Sequence, residues 1–128
     1  MRLYNHRMNR KTYLINLAGF VVGVMILLQF MDRPGPTEFL FSLLAVPRLH
    51  DIGRSGWWYL ALIGLEFGVL LGTLAAGGST ATLFQAGGAF VIFALILLVV
   101  LGLIKGEPDA NEWGSPTGDG YVWKPADA

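Results

Sequence analysis

The sequence contains no cysteine, and charged residues make up only 14% of its 128 residues. Without cysteine, disulfide bonds and thiolate metal sites are excluded. The few charges lie between long apolar runs rather than inside them, apart from one glutamate. A soluble domain interrupts its apolar runs with polar residues at helical or strand period, so this distribution is typical of a membrane protein.

Three apolar runs are long enough to cross a lipid bilayer as helices. Residues 13–31 carry no charge, residues 57–76 carry only Glu66, and residues 83–104 carry none. At ~1.5 Å of rise per residue, each run matches a hydrocarbon core of roughly 30 Å. The strands of a membrane barrel would instead be short and alternating, so these runs favour helices.

The first run follows a basic segment, as the core of a secretory signal would. However, the run is too long for a signal core, and no cleavage site follows it. We therefore predict that it is a retained transmembrane helix.

A shorter apolar segment, residues 39–46, lies between a turn-forming sequence at 32–36 and a polar motif. Extended to residues 37–52, it has 16 residues, which corresponds to about 24 Å of helix. Such a helix crosses where the bilayer thins or where Arg48 extends its guanidinium to the headgroups. Pro47 predicts a kink or a helix break just before the motif.

The basic residues favour a crossing of residues 37–52. With that crossing, eight of the nine Lys and Arg residues are cytoplasmic and only Arg33 is outside; without it, four remain inside. We predict an all-α polytopic bundle of four transmembrane helices, the second short, with both termini cytoplasmic. Residues 1–104 form the bundle, with a cytoplasmic loop at 48–56, and residues 105–128 form a Gly- and Pro-rich tail with little regular structure.

Polar side chains cluster in the motif RLHDIGRSGWW, residues 48–58. Its paired indoles favour the headgroup level, and Asp51 can cap a turn or pair with Arg48 or Arg54. The simplest interpretation is a topological anchor with an internal ion pair. The alternative is that the arginines bind anionic lipid or another phosphate.

Catalysis and metal binding are weaker interpretations of this motif. His50, Asp51 and Ser55 are the local catalytic candidates, but adjacent residues on a helix do not face each other. A metal site would combine His50 with a tail residue, at no recognised spacing; the candidates are Asp109, Asn111 and Glu112. We therefore expect no enzyme activity, no metal and no cofactor.

Three segments together resemble a known family. They are HRMNRKTYL before the first helix, the central motif, and GEPDANEWG after the last helix. They resemble the bacterial inner-membrane family called domain of unknown function 805. The matching positions are Arg7, Arg10 and Tyr13, residues 48–58, and Gly106, Asn111, Trp113 and Gly114. Because that family has no established activity, the resemblance implies a multi-pass location in the bacterial inner membrane, not a reaction.

Glu66 is the charged residue inside an apolar run, about 13 Å into its predicted helix. The simplest interpretation is a protonated side chain hydrogen-bonded to another helix, and the alternative is a proton-coupled transport site. Gly64, Gly68 and Gly72 form a small-residue stripe on a different side of this helix. That stripe predicts close contact with another helix.

Four crossings bring the three family segments to one membrane surface, where we predict a polar site that we call the cap. Its members are Arg7, Arg10, Arg48, His50, Asp51, Arg54, Asn111 and Trp113. We expect Asp51 to pair with an arginine, Asn111 to join the tail to the motif, and Trp113 to pack beside Trp57 or Trp58.

The predicted function is that of a non-enzymatic membrane scaffold or adaptor. Its cap would bind anionic lipid headgroups or a partner, either another membrane protein or a second copy of the chain. We expect no binding to nucleic acid. The alternative is a small proton-coupled transporter centred on Glu66.

Overall fold

The fold, described by a computed structural model for residues 6–30, 37–118 and 120–122, consists of four α-helices. In chain order they are α1 (Arg10–Phe30), α2 (Thr37–Asp51), α3 (Trp57–Ala75) and α4 (Thr80–Leu103). Among these described residues, extended pairing is limited to an isolated bridge between Asn111 and Gly114. The all-α prediction is confirmed.

Three of the helices, α1, α3 and α4, coincide with the apolar runs. Each helix begins and ends within three residues of the first and last residue of its run. Each is long and apolar enough to cross a membrane. Their outward faces carry large apolar side chains, of which Phe30 and Phe84 are 82% and 78% exposed. Apolar exposure of this extent is unfavourable in water and suits helices surrounded by lipid. The chain therefore has the construction of a membrane protein.

The second helix differs from its prediction at Pro47. α2 has 15 residues and continues through Pro47 to Asp51, so the predicted break before the motif is wrong. The first part of the motif forms the last turn of α2, and only residues 52–56 form the connection to α3. Pro47 is fully buried, and its carbonyl accepts the Met8 N–H at 3.0 Å. Tertiary contact thus supports a helical turn that proline alone disfavours.

The hydrophobic core lies near one end of the bundle. α2 packs against the other three helices, and α4 contacts both α1 and α3. The buried residues come from the start of α1, the end of α2, the start of α3 and the end of α4: Tyr13, Leu17, Leu44, Ala45, Leu49, Tyr59 and Leu98. The Tyr13 hydroxyl donates to the Leu98 carbonyl at 2.8 Å. The core therefore supports the end of the bundle that carries the motif.

α1 and α4 approach each other closely at Gly102, which is buried. A Cβ atom at this position would lie 3.0 Å from two ring carbons of Tyr13 and would collide with the end of Leu14. The Tyr13 ring is held by its hydrogen bond to Leu98. Glycine is thus required by the separation of the two helices.

Gly102→Ala should therefore destabilise the protein, by about 1–3 kcal/mol, because the added methyl group overpacks the contact between α1 and α4. Gly88→Ala in the same helix is the matched control, since nothing lies within 4 Å of its Cβ position. We expect the control to be neutral or slightly stabilising, because alanine favours helix more than glycine does. Reversible unfolding in detergent measures both variants, and equal effects would contradict the close approach.

Candidate functional site

The carboxylate of Asp51 lies at the centre of the cap. It ends α2, and it accepts a hydrogen bond from Arg7 Nε at 3.1 Å and another from Arg48 Nη1. All three residues are buried, with Arg48 fully inaccessible. Charges that are removed from water must be paired and hydrogen-bonded, and this arrangement satisfies both carboxylate oxygens. It also leaves one formal positive charge in excess.

Arg7 joins the N-terminal segment to the tail through its remaining donors. Its Nη1 donates to the carbonyls of Asp109 at 2.7 Å and Gly114 at 3.2 Å. Its Nη2 donates to the carbonyls of Glu107 at 2.5 Å and Asp51 at 3.3 Å. A planar guanidinium with several fixed donors can bind a carboxylate and several carbonyls together, which a lysine ammonium cannot reproduce.

Arg48 binds the end of α4. Its Nε donates to the Leu101 carbonyl at 3.3 Å, and its Nη2 donates to the Ile104 carbonyl. Its Nη1 also reaches the Met8 carbonyl at 3.2 Å. The last carbonyls of a helix lack partners within the helix and carry partial negative charge, so a buried cation at this position is favourable.

His50 forms a second contact between α2 and the tail. Its imidazole stacks on the Trp113 indole, with centroids 4.4 Å apart and planes inclined by 4°. Its Nδ1 lies 3.3 Å from the His6 carbonyl, within hydrogen-bonding distance. Its own carbonyl accepts Asn111 Nδ2 at 2.8 Å, which is the predicted join between tail and motif.

Trp113 has a different aromatic partner from the one we expected. It stacks on His50, whereas Trp57 and Trp58 are 75% and 63% exposed at the start of α3. Asn111 Nδ2 also donates a hydrogen bond to Glu107 Oε2 at 2.8 Å, and Asn111 Oδ1 accepts the Trp113 N–H at 3.1 Å. The tail segment is therefore fixed onto α2 and away from the paired indoles.

The tail continues along α1 as irregular but well-bonded structure. Asn9 Nδ2 donates to the carbonyls of Gly118 at 2.5 Å and Gly120 at 2.8 Å, while its Oδ1 accepts the Thr12 N–H at 2.8 Å. Thr12 Oγ1 in turn accepts the Val122 N–H at 2.9 Å. Asn9 therefore caps α1 and holds the tail at the same time.

Two glycines allow the tail to approach the motif closely. A Cβ atom at Gly106 would collide with the carboxylate of Asp51. Gly53, with φ +71°, begins the turn into α3, and a Cβ atom there would collide with the Glu107 carboxylate. The glycine predicted from the family pattern at position 106 thus has a steric reason, whereas sequence reasoning missed the contact between Gly53 and the tail.

The eight cap residues differ in their accessibility. Arg7, Arg48, His50 and Asp51 are buried, Asn111 and Trp113 are half-buried, and Arg10 and Arg54 are exposed. Asp51 pairs with Arg7 and Arg48, and the salt bridges of the described residues do not include Arg54. Arg10 and Arg54 are therefore the cap residues that a ligand can contact directly, while the buried residues fix the shape of the cap.

The described residues of the motif do not form a catalytic triad or a metal site. His50 faces Trp113 and Asp51 faces two arginines, although they are adjacent in α2. Ser55 Oγ accepts the N–H of Trp57, two residues along the chain, at 3.3 Å, as a serine hydroxyl does in a turn. No group of three His, Asp or Glu residues in the described part of the chain could hold a metal ion.

Glu66 is half-buried on the inward face of α3. It lines a pocket between α2, α3 and α4 whose other walls are mainly apolar and include Phe41, Tyr59 and Phe90. This position among three helices suits both a structural carboxyl group and a transport site. Both interpretations therefore stay predictions.

Gly64, Gly68 and Gly72 lie on the other side of α3 and are exposed. Nothing in the described structure lies within 4 Å of a Cβ atom at any of them. By contrast, Leu70 lies 3.9 Å from the Cβ position of Gly87 in α4, so α3 contacts α4 through a different face. None of the described helices packs on this glycine stripe, so the predicted contact with another helix there stays a prediction.

Comparison with known families agrees with two of the three sequence segments, the central motif and the segment after the last helix, while the segment before the first helix lies outside the match. The model of the family described as "Protein of unknown function (DUF805)" matches residues 38–115, and the chain belongs to this family. The match includes all of α2 except its first residue, all of α3 and α4, and the part of the tail bound by Arg7. No curated protein and no solved structure matches the chain.

Replacing Asp51 should destabilise the whole protein. Asp51→Ala leaves two buried guanidiniums without a carboxylate, which should cost about 3–5 kcal/mol. Arg54→Ala removes an exposed cation from the same motif and should change stability by less than about 0.5 kcal/mol. Unfolding in detergent compares the two variants, and the central role of Asp51 fails if both behave alike.

Proposed function

We propose that the chain is a multi-pass protein of the bacterial inner membrane with four crossings and a cytoplasmic cap. The supporting observation is the contact between Asp51, at the end of α2, and Arg7, before the start of α1. A segment that dipped into the bilayer and returned would leave these residues about 30 Å apart, on opposite surfaces. The contact therefore favours a crossing by α2, even though 15 residues give only about 22 Å of helix.

The distribution of basic residues supports a cytoplasmic position for the cap. In the four-crossing arrangement, eight of nine Lys and Arg residues lie on the side of the cap, and Arg33 lies on the other. Excess positive charge marks the cytoplasmic side of membrane proteins. Both termini then lie in the cytoplasm.

Within this arrangement the cap acts as a non-enzymatic scaffold or adaptor at the membrane surface. Its buried ion pairs hold three chain segments in one rigid shape. The exposed guanidiniums of Arg10 and Arg54 contact lipid headgroups or a protein partner, with Trp57 and Trp58 at the headgroup level. His50 and Asp51 serve structure in this proposal, because their polar atoms are used within the cap.

Reporter fusions test the topology. A fusion at Ala128 should report the cytoplasm, and one at Gly78, in the turn between α3 and α4, should report the outside. The two positions serve as controls for each other, because four crossings place them on opposite sides. A cytoplasmic signal at Gly78 or an external signal at Ala128 would exclude the arrangement.

The position of Glu66 supports a second candidate, a small proton-coupled transporter. Glu66 lines an apolar pocket shared by three helices, and an acidic side chain at this depth is a functional candidate. In this alternative, protonation of the carboxyl group accompanies movement of a substrate, and the cap is only a structural support.

Two variants separate these functions. For the cap, Arg54→Ala should reduce the amount of phosphatidylglycerol that stays bound after exchange into neutral detergent, as measured by native mass spectrometry, because a guanidinium that attracts anionic headgroups is lost. Glu66→Gln should leave that amount unchanged. For the transporter, Glu66→Gln should instead abolish a substrate-dependent proton flux in vesicles. Lipid retention that is insensitive to Arg54→Ala would count against the cap.

A further inference from the structure

A pocket of about 600 Å³ lies beside the cap, between the start of α1 and the segment that follows α4. Arg10 and Lys105 line it, and both residues are exposed. Neither takes part in a salt bridge within the described ranges of the chain. Since α1 begins and α4 ends here, the two cations converge at the depth of the lipid headgroups.

The carboxylates that line the same pocket are already bound. Asp51 lies between Arg7 and Arg48, and Glu107 accepts a hydrogen bond from Asn111 at 2.8 Å. The two guanidiniums around Asp51 leave one positive charge in excess next to the pocket. Arg10 and Lys105 add two more cations and Glu107 adds one negative charge, so the surroundings of the pocket keep two positive charges in excess and favour an anion.

Other groups at the pocket suit an anion with several acceptor oxygens. Thr117 lines the pocket, and its hydroxyl has no hydrogen-bond partner among the residues that the structure describes. Asn9 and Arg10 place the positive end of the α1 dipole beside it. Guanidinium, ammonium and hydroxyl donors together match a phosphate group.

An apolar groove of about 370 Å³ follows the same two helices below this pocket. Its walls include Leu14, Leu17 and Val21 from α1, and Leu95 and Val99 from α4. Arg10 precedes the three α1 residues by 4, 7 and 11 positions, a spacing that places all four on one face of the helix. The cationic pocket and the apolar groove therefore lie along one line between α1 and α4.

We propose that this line is a phospholipid-binding site, in which Arg10 and Lys105 bind the headgroup phosphate and one acyl chain lies in the groove between α1 and α4. This inference rests on the proposed function, because it adds one defined lipid site, at Arg10 and Lys105, to the headgroup contact proposed for Arg54. A soluble phosphate ester would use the pocket alone. The apolar groove directly below it is the reason for preferring a lipid.

The first test is binding of short-chain phosphatidylglycerol to the purified full-length protein in neutral detergent, measured by titration calorimetry. Arg10→Ala and Lys105→Ala should each weaken binding roughly tenfold, the loss expected for one charge-assisted contact to phosphate. Lys11→Ala is the matched control, since it removes an exposed cation next to Arg10 that does not line the pocket. It should leave the affinity almost unchanged.

Two further ligands test whether binding needs both the phosphate and the acyl chains of the lipid. Diacylglycerol, which lacks phosphate, should bind much more weakly than phosphatidylglycerol, and so should glycerol 3-phosphate, which lacks acyl chains. Ala18→Phe, which fills the groove, should weaken the binding of phosphatidylglycerol but not that of glycerol 3-phosphate. Ala61→Phe makes the same change at an exposed position of α3 and serves as the control.

The possible failures are distinguishable. If phosphatidylglycerol binds and Arg54→Ala weakens it while Arg10→Ala and Lys105→Ala do not, the cap binds lipid but the pocket assignment is wrong. If glycerol 3-phosphate binds as tightly as phosphatidylglycerol, the site takes a soluble phosphate and the lipid assignment is wrong. If the unmodified protein binds no phosphatidylglycerol, both this inference and the lipid-binding role of the cap are overturned.

Discussion

The cap depends on one carboxylate held between two buried guanidiniums. Burial of three charged groups is unfavourable unless each is paired and hydrogen-bonded. Even a well-paired buried cluster of charges contributes little net stability by itself. Here the guanidiniums of Arg7 and Arg48 use their other donors on the carbonyls of the tail and of the end of α4. Any other arrangement of these segments would leave a buried charge without partners. Asp51 therefore selects one geometry for the α1, α2 and α4 ends.

The helices were predictable because lipid requires long unbroken apolar segments, and those segments are visible in the sequence. α1, α3 and α4 follow from this requirement alone. α2 does not, because its local signal and its tertiary contacts disagree. Pro47 predicts an interruption, but its burial and the bond from Met8 to its carbonyl keep the helix continuous. Contacts with a distant segment of the chain are not encoded in a local pattern.

The sequence grouped eight cap residues, six of which the structure brings into contact, but it did not predict most of the contacts themselves. The family segments identified the members, and Asn111 does join the tail to the motif. A second partner of Asp51, however, lies 44 positions away at Arg7, and the partner of Trp113 is His50 rather than an indole. The pocket between Arg10 and Lys105 was not predicted at all, because it exists only once the tail is folded against α1.

The tail is held largely through its main chain, and its acceptors for Arg7 lie 100 to 107 positions further along the chain. The ribosome therefore makes Arg7 long before it makes the groups that Arg7 binds. Until then the tail carbonyls that bind Arg7, those of Glu107, Asp109 and Gly114, do not exist. Closure of the cap is consequently a late step of biogenesis, which only a chain with all four helices already synthesised can complete.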